Sequence, residues 1–231
     1  PDLKEQAQVV NDFLVGLLEA IGLEGDVETT VEAEDIIIAN VTGEQTTALT
    51  DKDIADLENV VSLVDMVALS FLRTPADVTR LHDELQRLEA THLGVVLKIE
   101  NRQAFENLPA ILLASLQSPP VGVMIARGDL AVEVGFNRLS EVQQEILWIC
   151  EAAHIPVIWA TQILEGMAKK GAPSRAEVSD AAMSIYAECA MLNKGPNIVD
   201  TVRFLDGIIA RMDDHYLKRR STLRKLSVAS L

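Results

Sequence analysis

The chain is short of positive charge. Its 20 Lys and Arg face 35 Asp and Glu, a formal net charge of -15 over 231 residues. Binders of nucleic-acid backbones present a basic face, so this balance argues against one. It leaves room for small anionic ligands, which need only a local positive cluster. Cysteine is scarce. Cys150 and Cys189 lie far apart, in no metal or redox spacing, which rules out a disulfide scaffold and predicts two reduced, buried thiols. Aromatics are only 4% of the chain, so the core must be aliphatic. No apolar run has the length of a membrane span, and no charged-then-apolar leader opens the chain. A cytoplasmic protein is expected, with an organelle left open. The chain begins at Pro1, and it is expected to be a processed product or the remainder of a longer polypeptide.

What is present is order along the chain. Residues 3–22 carry apolar side chains at helical spacing, from Val9 to Ile21, and predict an amphipathic helix. Residues 23–48 read as acidic and irregular, apart from a short strand-like stretch near 35–41. From about residue 50, short apolar runs recur at 65–71, 94–99, 121–126, 155–161 and 188–193. They do not alternate, as expected of strands covered on both faces. Helical patterns with start signals lie between them: Thr50 with Asp53, Thr74-Pro75 with Asp77, and Ser174 with Glu177. Five strand–helix repeats predict a parallel α/β sheet of the (β/α)8 TIM-barrel type, with about five βα units in this chain. The expected division is residues 1–48, helix and irregular segment, and 49–231, a partial barrel. The missing strands come from other sequence, or the sheet stays open. An open edge predicts self-association or a partner.

Polar residues gather where such strands end, which is the ligand face of parallel βα folds. Lys98 and Glu100 are two apart, so they point to one side of their strand. The next strand ends at Ala126-Arg127-Gly128-Asp129. Gly128 lets a ligand approach the main chain, and the following amides suit an anion. Asp129 is expected beside Glu100, and two carboxylates at neighbouring strand ends suit Mg2+ or Mn2+. Thr161 brings a hydroxyl to the same rim. A lysine, a divalent ion, an anion cradle and a hydroxyl suit a substrate with carboxylate and phosphate groups whose enol oxygen gains negative charge. The single residues His154, Trp148 and Trp159 read as a helix-end cation and two packing residues. The basic stretch 217–225 reads as a solvated helix end.

The segments "LTDKDIADL", "VDMVALSFLRTPADV", "KIEN", "GVMIARGDLAVEVG", "PVIWATQILEGM" and "PSRAEVSDAA" together resemble the pyruvate kinase family, in the family's order. The resemblance implies strands four to eight of that barrel, and transfer of a phosphoryl group from phosphoenolpyruvate to ADP to give pyruvate and ATP. It implies Lys98 at the phosphoryl group and enolate, and Glu100 and Asp129 as metal ligands. It places the backbone of 126–129 on the substrate carboxylate, and Thr161 on the face where the enolate is protonated. Ser70, at a matching strand end, is carried over as a substrate contact. Mg2+ or Mn2+ is implied, and K+ too, although the family's K+ ligands have no match here. "MLNKGPN" (191–197) replaces the family's serine-glycine-glutamate-threonine; Lys194 and Gly195 make either another anion loop or a simple turn. Residues 1–48 stand where a lid remnant would. Other metal-enolate barrel enzymes, a lyase or an aldolase, fit the same residues. So does an inactive fragment that binds phosphoenolpyruvate or a partner.

Overall fold

A computed structural model describes residues 25–31, 37–43, 49–118 and 120–220, with Gln8 and Asp12; side chains are described for Gln8, Asp12, 49–118 and 120–213. The chain separates into two compact units, Pro1–Thr47 and Ala48–Leu231.

In the first unit, β1 (Gly25–Val31) pairs antiparallel with β2 (Ile37–Gly43), Val27 opposite Val41 and Thr29 opposite Ala39. The strand-like stretch expected near 35–41 lies largely in β2, whereas β1 corrects the expectation that 25–31 is irregular. Val27, Thr29 and Val31 alternate with polar residues, and β-branched side chains favour the pleated backbone. Gln8 and Asp12 are helical, and the Gln8 amide donates to Asp12 at 2.7 Å; the rest of the helix expected over 3–22 lies outside the described residues.

The second unit runs α1 (Asp51–Val60), β3 (Met66–Leu69), α2 (Pro75–Arg87), β4 (Gly94–Ile99), α3 (Arg102–Glu106), α4 (Leu108–Ser115), β5 (Val121–Ala126), α5 (Arg127–Val134), α6 (Leu139–Ala153), β6 (Val157–Ile163), α7 (Glu165–Lys170), α8 (Arg175–Met183), β7 (Cys189–Leu192) and α9 (Ile198–Arg220). Strands β3 to β7 form one parallel sheet in chain order. The family of folds expected from the repeats is therefore present, as a five-stranded arc of a (β/α) barrel.

The helix starts follow from local chemistry. Thr50 and Asp53 exchange bonds, Thr50 N to Asp53 at 2.9 Å and Asp53 N to Thr50 Oγ1 at 3.2 Å. Thr74 N donates to Asp77 at 2.8 Å. Ser174 N donates to Glu177 at 2.7 Å, and Glu177 N returns to Ser174 Oγ at 3.2 Å. Each pair satisfies amides that the first turn leaves free.

One sheet face is the core. Leu97, Ile99, Val123, Ile125, Val157 and Trp159 are buried and in register across β4, β5 and β6. With Leu81, Leu85, Leu108, Ile111 and Ile146 of the helices they make one cluster; cutting one such leucine to alanine costs about 2–5 kcal/mol. The opposite face carries Ala68, Val96, Met124, Ile158 and Cys189. There Ala68 and Cys189 are exposed, and Met124 and Ile158 half-buried. The strands are thus covered fully on one face only, which corrects the reading from their continuous apolarity. Closure of a barrel is what covers the second face.

Two single-residue expectations change with it. Cys150 is buried but Cys189 is exposed, because among the described residues β7 is the sheet edge and Cys189 points to the open face. Trp159 is packed, but Trp148 is 60% exposed on the outer side of α6. His154 closes α6 in the left-handed conformation, φ 55°, its amide bonded to Cys150 O. No helix among the described residues is long and apolar enough to cross a membrane.

Candidate functional site

The polar strand ends form two adjoining groups. Lys98 and Glu100, on the open face of the β4 end, are the first. The Lys98 ammonium donates to Ser70 Oγ at 2.8 Å, lies 3.0 Å from Glu100 Oε2 and sits 5.9 Å from the centre of the Phe71 ring. Glu100 is 1% exposed. Its Oε1 accepts from Phe71 N at 2.5 Å. Its Oε2 is buried with no hydrogen bond of good geometry, the nearby ammonium notwithstanding. A buried carboxylate is costly unless a cation pairs with it, and the Lys98 ammonium does so at Oε2. Asn101 holds this corner in place: its amide donates to Leu72 O at 2.9 Å, and its oxygen accepts from Ala104 N at 2.8 Å, starting α3.

The second group lies where β5 runs straight into α5. Ala126, at the cap position, offers no side-chain bond to the first turn, and first-turn amides without such a cap suit an anion. Gly128 faces Thr161: a Cβ on Gly128 would stand 3.2 Å from Thr161 Oγ1. A side chain there would fill the space beside the hydroxyl. Asp129 is exposed in this first turn, and Thr161 half-buried.

Ser70, Lys98 and Glu100 therefore come together, as do Gly128 and Thr161. Ala126 and Asp129 bracket the second group by position. The side chain of Arg127 is a different matter. It is 7% exposed and turned beneath β6, where Nε donates to Ala160 O at 2.9 Å and Nη2 to Thr161 O at 2.6 Å. Nη1 pairs with Asp180 of α8, and the guanidinium lies 4.6 Å from the Trp159 ring centre. Only the Arg127 backbone faces the cradle.

Among the described residues no group of three or more His, Cys, Asp or Glu is placed to hold an ion. Glu100 and Asp129 are two hard-oxygen donors, and Mg2+ is commonly bound by one or two carboxylates with water and substrate oxygens. Glu100 Oε2, buried with no close partner but the Lys98 ammonium, suits that use. Beside Ser70 and Phe71, a cavity of about 510 Å³ runs along the outer edge of β3, lined also by Leu49, Asp53, Leu57 and Met66.

Lys194 is exposed in the loop after β7. Gly195 has a packing reason: a Cβ would fall 2.2 Å from Ala168 O. Sequence reasoning missed Asn101, Asp180 and the contact of Glu177 with Gly166 N. Asn101 was visible as a cap residue before α3; the other two partners are set by tertiary packing.

Comparison with known proteins points one way. Residues 19–196 match the family model "Pyruvate kinase, barrel domain". A pyruvate kinase of Mycobacterium tuberculosis (strain ATCC 25618 / H37Rv) is 38% identical over 175 residues, 73% of this chain and 36% of the relative. One of Bacillus licheniformis is 35% identical over 173 residues, 72% and 29%. One of Encephalitozoon cuniculi (strain GB-M1) is 36% identical over 190 residues, 79% and 42%. The chain thus spans less than half the length of each.

Proposed function

The chain belongs to the pyruvate kinase family, and from that premise we propose that it supplies the enolate-handling half of a site that transfers phosphate from phosphoenolpyruvate to ADP. One observation carries the proposal: the Lys98 ammonium is held at a strand end between Ser70 Oγ and the buried Glu100 carboxylate.

Phosphoryl transfer asks a protein mainly for position and charge neutralisation. Lys98 places a fixed positive charge where the bridging oxygen becomes an enolate. The amides after Ala126 hold the substrate carboxylate, with Gly128 keeping the approach clear. Thr161, beside Gly128, presents its hydroxyl to the enolate carbon and positions the proton that completes pyruvate. Glu100 and Asp129 would hold a divalent cation, which supplies charge neutralisation on the carboxylate and phosphoryl oxygens. Ser70 keeps the Lys98 ammonium from swinging onto Glu100 alone. The protein works in the cytoplasm or an organelle, as part of a longer polypeptide or an oligomer.

The half-exposed sheet face favours a second reading, in which this chain binds phosphoenolpyruvate or a partner but does not turn over alone. Pyruvate release from phosphoenolpyruvate and ADP, with Mg2+ and K+, separates the two. We expect turnover by the parent and a loss of about 10²–10³-fold in Lys98→Met, the usual cost of one charge-stabilising group. Equal rates in parent and variant would refute the role of Lys98; no turnover in either, with phosphoenolpyruvate bound, would favour the second reading.

A further inference from the structure

The end of β6 carries two left-handed residues two positions apart. Gln162 has φ 59° and Leu164 φ 49°, in the left-handed region that costs a side-chain-bearing residue about 1–3 kcal/mol. Such a conformation persists only where its surroundings fix it. Besides the pairing of Ile163 with Leu192 of β7 and the bond from Ala168 N to Leu164 O, side chains reach it by way of one helix, α8. Its Asp180 pairs with the Arg127 guanidinium, which spans the two carbonyls of Ala160 and Thr161. Its Glu177 accepts from Gly166 N, at the start of α7, as well as from Ser174 N. Two carboxylates on one helix thus hold the β6 segment on either side of Gln162 and Leu164. Arg127 is also the residue whose backbone opens the anion cradle beside Gly128. The cradle and the Thr161 hydroxyl are linked through one buried side chain.

We infer that Arg127 and Asp180 are positioning residues for Thr161: the pair, braced by Trp159, sets the Thr161 hydroxyl against the Gly128 backbone. The consequence for reaction rests on the reading under Proposed function; the consequence for structure does not. A guanidinium is suited to the task because its planar fork reaches two carbonyls and a carboxylate at once. A lysine in its place keeps the charge but not the fork. An asparagine at 180 keeps the shape but not the charge, and frees the guanidinium to leave the carbonyls.

Hydrogen exchange followed by mass spectrometry on the parent, Asp180→Asn and Arg127→Lys tests this without any ligand. Exchange reports local opening. We expect residues 160–166 to exchange about tenfold faster or more in both variants, well beyond any change in 94–99 and 121–126. An unchanged 160–166, or a rise spread evenly over the sheet, overturns the inference, since the pair would then be ordinary stabilisation. Where the parent turns over phosphoenolpyruvate, Asp180→Asn should lower kcat about tenfold and leave KM for phosphoenolpyruvate within about twofold; a change in KM alone counts against it. A parent without turnover would refute the proposed activity of this chain and leave the exchange result to decide the positioning role.

Discussion

Replacing Gly195 by alanine is a demanding trial of the packing after β7. A Cβ at this position would lie 2.2 Å from Ala168 O, 2.6 Å from Ala168 C and 3.2 Å from Lys169 N. All three are backbone atoms near the end of α7, so no side chain can swing aside. Overpacking against a rigid wall costs about 1–3 kcal/mol. Relief requires the loop to lift away, and the bond from Asn197 N to Ala168 O at 3.0 Å then goes, worth about 1 kcal/mol more. The expected loss is about 2–4 kcal/mol, a fall in melting temperature of about 4–16 °C for a chain of this size. Gly122→Ala is the control. Its Cβ would meet Pro156 O at an ordinary 3.5 Å, and a strand glycine replaced by alanine gains about 0.5–1 kcal/mol. Urea titrations followed by far-ultraviolet circular dichroism and by fluorescence give both values. If Gly195→Ala matches Gly122→Ala, the loop is not seated on α7 and the reasoning fails.

Three further outcomes are expected. The Glu177 carboxyl is held below the usual range by the Ser174 amide, with the Gly166 amide and the Ser174 hydroxyl assisting against burial. Its folded value is the lower one, so its stabilisation is complete above the ordinary 4.5 and lost as pH falls through the folded value. Glu177→Gln should therefore lower the melting temperature at pH 7, with the gap closing at more acidic pH; a gap constant with pH would refute this. Burial, aided by Glu188, pushes the Cys150 thiol up to about 12, while Cys189 is exposed. A thiol reagent at pH 8 should modify one cysteine in the native chain and two in denaturant; rapid modification of both in the native chain would sink it. The exposed Leu63, Met66 and Phe71 beside the edge of β3, unpaired among the described residues, should drive association, seen as a mass above 25.2 kDa in sedimentation; a monodisperse monomer would contradict it.

Much of this fold is legible in sequence because its determinants are local. The three capping pairs are separated by three residues, and each forms as read. The βα order follows from short apolar runs with breakers between them. Lys98 and Glu100 share a side because a strand repeats every two residues. What fails is information held elsewhere. Whether Cys189 is covered depends on a neighbour for β7, and Trp148 turns outward through the helical phase of α6. The run 25–31 is short and half polar, and only pairing with 37–43 makes it a strand. Arg127 is read as backbone for a ligand, and its side chain instead binds residues 33 to 53 positions away; no spacing rule reaches that far. The placing of Glu100 and Asp129 as ion ligands is a proposal for metal titration to decide.

The two tryptophans give the molecule a built-in optical contrast. Trp159 is 1% exposed, its ring against a guanidinium, and Trp148 is 60% exposed. A water-soluble quencher such as iodide will darken Trp148 and spare Trp159. The emission that survives is light from beneath the Thr161 backbone, so any rearrangement of the β6 end becomes a change of colour that needs no added label.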